Sequence, residues 1–177
     1  MRGITPRTGF NRRHKLRSPK RYASGVFDIS DRDITTNLPY VDGVHLSFDH
    51  HRSEVLRVGE QEHNIIDANV LSAARVLYDY YGGLSAFPNI SIDLMAAVDA
   101  GDSAQFSLEQ VLNPSRWALL NFLMDAQTGL GRFRDFKVSN YQLMMDLISY
   151  WRKYTIEEIL QLADIKERVD IYFQHEA

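Results

Sequence analysis

The sequence predicts an α/β layer fold, and three observations carry that reading. Short β-branched or aromatic runs are confined to the first half of the chain. Apolar residues at three- and four-residue spacing fill the second half. The stretches between strand-like runs are too long for hairpins, which favours crossovers and a short parallel sheet covered by helices.

The elements follow in order. Val26-Phe27-Asp28-Ile29 and Asp33-Ile34-Thr35-Thr36 read as brief strands, flanked by Gly25 and by Asn37-Leu38-Pro39. Val44-His45-Leu46-Ser47-Phe48 alternates apolar and polar residues after the turn dipeptide Asp42-Gly43, and is the clearest strand. Val70, Leu71, Ala74, Leu77, Tyr78 and Tyr81 predict a helix over 69–81, stopped by Gly82-Gly83. Ile92 to Ala100 predicts another, closing at Gly101. Asn113-Pro114 reads as a cap followed by proline at the first position of a helix ending near Met124. Residues 127–138 form a glycine-interrupted loop containing Arg132 and Arg134. Ser139 caps a helix carrying Leu143, Met144, Leu147, Ile148 and Trp151. Thr155-Ile156-Glu157-Glu158 is a capping box ahead of Ile159 and Leu162, and Asp164 opens a last helix with Ile165, Val169 and Phe173 on one face. Methionine and aromatic stripes at this spacing are core.

Composition narrows the function classes. The chain has 177 residues, no Cys and a net charge of −3. It is long enough for one ordinary domain with its own core. Without Cys, a disulfide framework, a thiolate zinc site and a cysteine nucleophile are all excluded. No apolar run is long enough for a membrane span, and no apolar stretch follows the basic N-terminus as in a secretory signal. The expected compartment is the cytoplasm. Residues 1–25 hold eight basic side chains and no acid, so the remainder carries −11. Residues 1–21 therefore read as a basic, mobile arm and 22–177 as the folded domain. Such an arm is either a phosphate or nucleic-acid contact or a solvated tail, and no aromatic residues interleave Arg12-Arg13-His14-Lys15 to stack on bases.

Two clusters carry candidate chemistry. Asp49-His50-His51 directly follows the strand ending at Phe48, and ligands of open α/β sheets bind beyond the carboxyl ends of strands. Imidazole and carboxylate suit ions such as Mn, Zn or Fe. Adjacent side chains diverge, so one histidine as ligand and the other as phosphate donor fits better than both on one ion. Ala97-Val98-Asp99-Ala100-Gly101-Asp102-Ser103 is the second cluster. Acids at a helix C-terminus oppose the dipole, which favours a functional reading, more so for Asp102 than for Asp99.

With Asn37-Leu38-Pro39-Tyr40, Phe48-Asp49-His50-His51-Arg52-Ser53-Glu54, Ser72-Ala73-Ala74-Arg75-Val76 and Ala97 through Ser103, the chain resembles the DHH phosphoesterase superfamily. The likeness is to its RecJ-like, exopolyphosphatase-related and oligoribonuclease-like members. Thr128 through Phe136 and Asn140 through Asp146 are also similar to that subgroup. The resemblance implies a parallel-sheet DHH-type domain with helices on both faces and a helical C-terminal portion. It implies a Mn-dependent (or Mg-dependent) hydrolase of phosphoanhydrides or short oligonucleotides, using two divalent ions that activate a water. Position by position, His50 would be a metal ligand, with Asp102 or alternatively Asp99 as another. His51 would donate to a substrate phosphate, and Asp49 would fix an imidazole tautomer. A phosphate-containing small molecule or short oligonucleotide is the expected partner, with room for a homodimer and no membrane.

The departures point the other way. Gly9 and Asn11 stand where the family has an Asp-x-Asp pair, and Asn37 where it usually has a bridging Asp. The stretch from Asn11 to Ser18 is too short for the family's first helix, and its smaller C-terminal domain has no counterpart. On this reading the chain is truncated, spliced or degenerate, its Mn site is partial, and turnover is impaired. The alternative is a non-catalytic relic or assembly module.

Overall fold

The computed structural model describes residues 29–125 and 136–176. The arm at 1–21, the strand reading at Val26–Ile29 apart from Ile29 itself, which lies in no strand, the departures at Gly9 and Asn11, and the loop arginines Arg132 and Arg134 lie outside the described residues.

The sheet is parallel, as expected. Strands β1 (Ile34–Thr36), β2 (Leu46–Asp49) and β3 (Asn64–Ile66) lie in the order β1-β2-β3. Thr35 pairs with Ser47 and Ser47 with Asn64, so β2 is central. Its Ser47, Phe48 and Asp49 are buried accordingly. The Asp42-Gly43 turn feeds β2, with Gly43 at φ +92° where a side chain would be strained. Helix α1 (Arg52–Val58) links β2 to β3. Neither α1 nor β3 is foreseen above.

Helix α2 (Ala73–Tyr80) packs on β2, and the Phe48 ring meets Tyr80 edge-on at 5.3 Å and Tyr81 at 5.9 Å. The helix starts at Ala73 and not at 69, because the Ser72 hydroxyl accepts the Arg75 N–H and sets the cap. Asn69 is instead held in a turn by Asp67. Gly82, at φ +103°, follows its C-cap Tyr81 and opens the 3-10 turn Gly83–Ser85.

Helix α3 (Ile92–Ser103) runs past the expected stop at Gly101 and ends at Ala104. Gly101 serves close packing: a Cβ there would lie 2.7 Å from Asn121 Oδ1 on helix α5 (Arg116–Met124). The Asn113-Pro114 reading also needs correction. Asn113 closes a short helix α4 (Leu108–Leu112), whose capping box joins Ser107 and Gln110, and Ser115 is the N-cap of α5. Pro114 thus lies before the cap.

Helices α6 (Asn140–Tyr150), α7 (Ile156–Ile159) and α8 (Ala163–Glu176) complete the described chain. Ser139 and the Thr155–Glu158 box cap the first two as expected. Leu119, Leu120, Leu123, Leu143, Ile156, Ile159, Ile165 and Tyr172 form their common core. Helix α5 ties the two halves together, touching α3 on one side and α7 and α8 on the other. The fully buried Arg168 donates to Val138 O and to Asn140 Oδ1, with its guanidinium 3.9 Å over the Phe136 ring. Burial lowers its pKa. Among the described residues no helix is long and apolar enough to cross a membrane.

Candidate functional site

Asp49 ends the central strand, His50 follows it, and His51 is the N-cap of α1, so the triplet sits at the carboxyl edge of the sheet. The buried Asp49 carboxylate is an anchor. Its Oδ1 accepts the backbone N–H of His50 at 2.8 Å, that of His51 at 3.3 Å, and His51 Nδ1 at 2.7 Å. A carboxylate acceptor assigns the proton to Nδ1 in the neutral ring. The ring nitrogen left over is Nε2, on a side chain that is 54% exposed.

His50 turns the other way. Its side chain is 11% exposed, and its Nε2 lies 3.3 Å from Asp102 Oδ2 on the last turn of α3. The angles of that approach are not those of a hydrogen bond, so the buried Nε2 has no hydrogen-bond partner. An unsatisfied imidazole nitrogen beside a carboxylate oxygen is the disposition of two donors toward one cation. The rest of the carboxylate is held by the protein. Oδ1 accepts Asn37 Nδ2 at 3.0 Å, and Oδ2 accepts the Ala73 N–H from the start of α2 at 3.2 Å. Three elements, β1, α2 and α3, therefore fix Asp102 against His50.

Asp99 lies one turn earlier on α3 and does not join this group. It is buried, its Oδ1 accepting the Ser72 hydroxyl at 2.6 Å and its Oδ2 accepting Arg75 Nε and Nη2 at 3.1 and 2.5 Å. Both oxygens are occupied in a clasp between α2 and α3. The sequence prefers Asp102 to Asp99 only as an acid nearer the helix end; what separates them in space is Ser72 and Arg75 at the start of α2.

A third network holds the site's loop. The buried Glu54 accepts the Tyr40 N–H and Arg57 Nε and Nη2, while Arg57 Nη2 also donates to Tyr40 O at 2.8 Å. The Arg57 hydrogen bond leads the effects that hold the Glu54 carboxyl below the usual range, and Glu54 raises Arg57 in turn. This pins the segment after Asn37 to α1.

The donor set can be tested against an ion. His50 and Asp102 offer one nitrogen and one oxygen. Among the described residues no three His, Cys, Asp or Glu side chains converge on a metal position. Of the described residues, His50 and Asp102 would be the two side chains to hold one divalent cation, and by themselves they do not make a two-metal centre.

The described residues thus define an α/β domain with an imidazole–carboxylate pair at the carboxyl edge of a parallel sheet. Among solved structures, the fold is similar to the pGpG-specific phosphodiesterase PggH from Vibrio cholerae, with a TM-score of 0.80 and 48% identity over 91% of this chain and 51% of that one. The chain spans about half the length of that protein. No family model matches the sequence, and no curated protein does.

Proposed function

We propose that the domain recognises a short 5′-phosphorylated oligonucleotide of the pGpG kind and is built for phosphodiester hydrolysis, with its turnover curtailed in this chain. The observation that carries the reading is the approach of His50 Nε2 to Asp102 Oδ2 beside the exposed His51, in a chain 48% identical to a pGpG-specific phosphodiesterase over its matched length. His51, with Nδ1–H donated to Asp49, would donate Nε2–H to a phosphate oxygen only as the imidazolium, since Nε2 of the neutral ring is an acceptor. Asp49 sets the ring's orientation. His50 and Asp102 would hold a Mn or Mg ion. Bound there, such an ion polarises a phosphoryl oxygen and lowers the pKa of a water. Asp99 has its oxygens occupied and serves the α2–α3 contact.

A second reading, a binding module without turnover, is favoured by Asn37, whose neutral amide stands against Asp102 where a carboxylate ligand would complete a three-donor set. Release of GMP from pGpG with Mn separates the two. Bound pGpG with slow, Mn-dependent release of GMP is expected, and binding with release at background would leave only the second reading. Cleavage that both EDTA and His50→Ala abolish would show that the half-site suffices and remove the second reading. No binding of pGpG would remove the first.

A further inference from the structure

We propose that the cavity between α3 and α5 is a second ligand site, shaped to take a guanine base with its polar edge against Asp93 and Arg116. It lies apart from the sheet edge and uses none of the residues of the proposed function.

Helical periodicity sets its position. Asp93, Ala96, Ala97 and Ala100 recur at three- and four-residue spacing and line the cavity from one face of α3. Asp99 and Asp102 leave the same helix on its opposite face, toward α2 and His50. The cavity measures about 260 Å³, close to the lower end of small-molecule sites. Its short alanine side chains leave room above the helix, and Phe106 and Trp117 wall that room with flat rings. Both rings are braced: Phe122 meets Phe106 edge-on at 4.8 Å, and Trp117 packs against the helical core. Such walls favour a planar aromatic ligand.

The charged pair at the mouth selects which one. Asp93 and Arg116 side chains are 74% and 55% exposed, and Arg116 Nη2 comes only within 3.7 Å of Asp93 Oδ2, a contact that costs little to open. Arg116 Nη1 is held by Glu157 on α7 at 2.6 Å, which leaves the Nε–Nη2 side of the fork for a pair of acceptors. The backbone at Arg116 has φ +51°, a costly conformation for a long side chain and one that clusters at ligand clamps. Guanine offers O6 and N7 as acceptors, with the N1 and N2 donors beside them. Arginine suits the first pair and a carboxylate the second. Adenine puts an amino donor where O6 would be and has no N1 proton, so it meets the guanidinium donor to donor.

The test uses tryptophan fluorescence. The chain has two tryptophans, so in Trp151→Phe the signal comes from Trp117 in the cavity wall. GMP titrated into this full-length variant should quench saturably, and AMP should bind about tenfold or more weakly. Added to that background, Asp93→Asn and Arg116→Gln should each weaken GMP about tenfold. Ala96→Leu fills the cavity and should abolish the quenching. These three positions are exposed, so circular dichroism should show an intact fold in each variant. His51→Ala should leave GMP quenching unchanged. No saturable quenching by GMP, an equal response to AMP, or a response that survives Ala96→Leu would overturn the proposal. Quenching lost with His51→Ala would also overturn it, by placing GMP at the sheet edge. The pGpG binding measured on the wild type reports separately on the proposed function.

Discussion

Replacing Asp99 by Asn tests whether this acid is a strut or a ligand. The carboxylate accepts from Ser72 at 2.6 Å and twice from Arg75, at 3.1 and 2.5 Å, with side-chain exposures of 10% for Asp99 and 28% for Arg75. Asparagine keeps one acceptor for Ser72 but turns an NH2 toward the guanidinium. Removing one partner of a fully buried pair costs about 3–5 kcal/mol, and the partial exposure of Arg75 reduces that to about 2–4 kcal/mol. For a chain of this size each kcal/mol moves the midpoint by about 2–4 °C, so a fall of about 5–15 °C is expected. Far-UV circular dichroism melts of Asp99→Asn, Arg75→Met and the double variant give the number. The double variant should lose less than the sum, because it leaves no unpaired charge behind. A midpoint unchanged within about 1 °C for Asp99→Asn, or strict additivity in the double variant, would refute the strut.

Glu54 has its pKa lowered chiefly by Arg57, so its stabilisation is complete above the ordinary glutamate value and is lost as pH falls through the lowered one. Glu54→Gln should cost about 1 kcal/mol at neutral pH, since Arg57 is half-exposed, and almost nothing near pH 3; melts at the two pH values check this. Gly101→Ala gains about 1 kcal/mol of helix propensity but drives a Cβ to 2.7 Å from Asn121 Oδ1 and disturbs the Asn121–Ala97 hydrogen bond. A net loss of about 1 kcal/mol is expected, relieved in part by Asn121→Ala in the double variant. Arg168→Met fills the space but leaves Val138 O and Asn140 Oδ1 without their guanidinium donor, so about 2 kcal/mol should be lost in a denaturant titration.

What was legible in the sequence was local. Ser139, Thr155 and Gly82 announced helix ends because capping is decided by a side chain and the backbone within a few residues. The turn at Asp42-Gly43 and the alternation into Phe48 placed the central strand within two residues of where it lies. The three-residue β3 and the seven-residue α1 are too short to show a period. They form because β2 needs a second parallel neighbour and a crossover to reach it. The five-residue α4 carries a capping signal in Ser107 and Gln110, beside the more conspicuous Asn113-Pro114 pair. Gly101 looks like a stop in sequence and is a packing glycine in space, since the neighbour that needs it is twenty residues on. The site divides the same way. Asp49-His50-His51 is contiguous and visible after its strand. The preference for Asp102 over Asp99 rests in the sequence on the helix terminus alone, and the contacts that separate the two acids are not visible there, because Ser72, Arg75 and Asn37 make them from other elements.

The most direct measurement of the central claim is a calorimetric titration of pGpG into the full chain with Mn present, wild type beside His51→Ala. A hydrogen bond from the Nε2–H of the protonated ring, held by Asp49, to a charged phosphate contributes about 1.5–3 kcal/mol, so affinity should fall at least about tenfold in the variant. Binding that His51→Ala leaves unchanged, or a wild type that does not bind pGpG, would contradict the account.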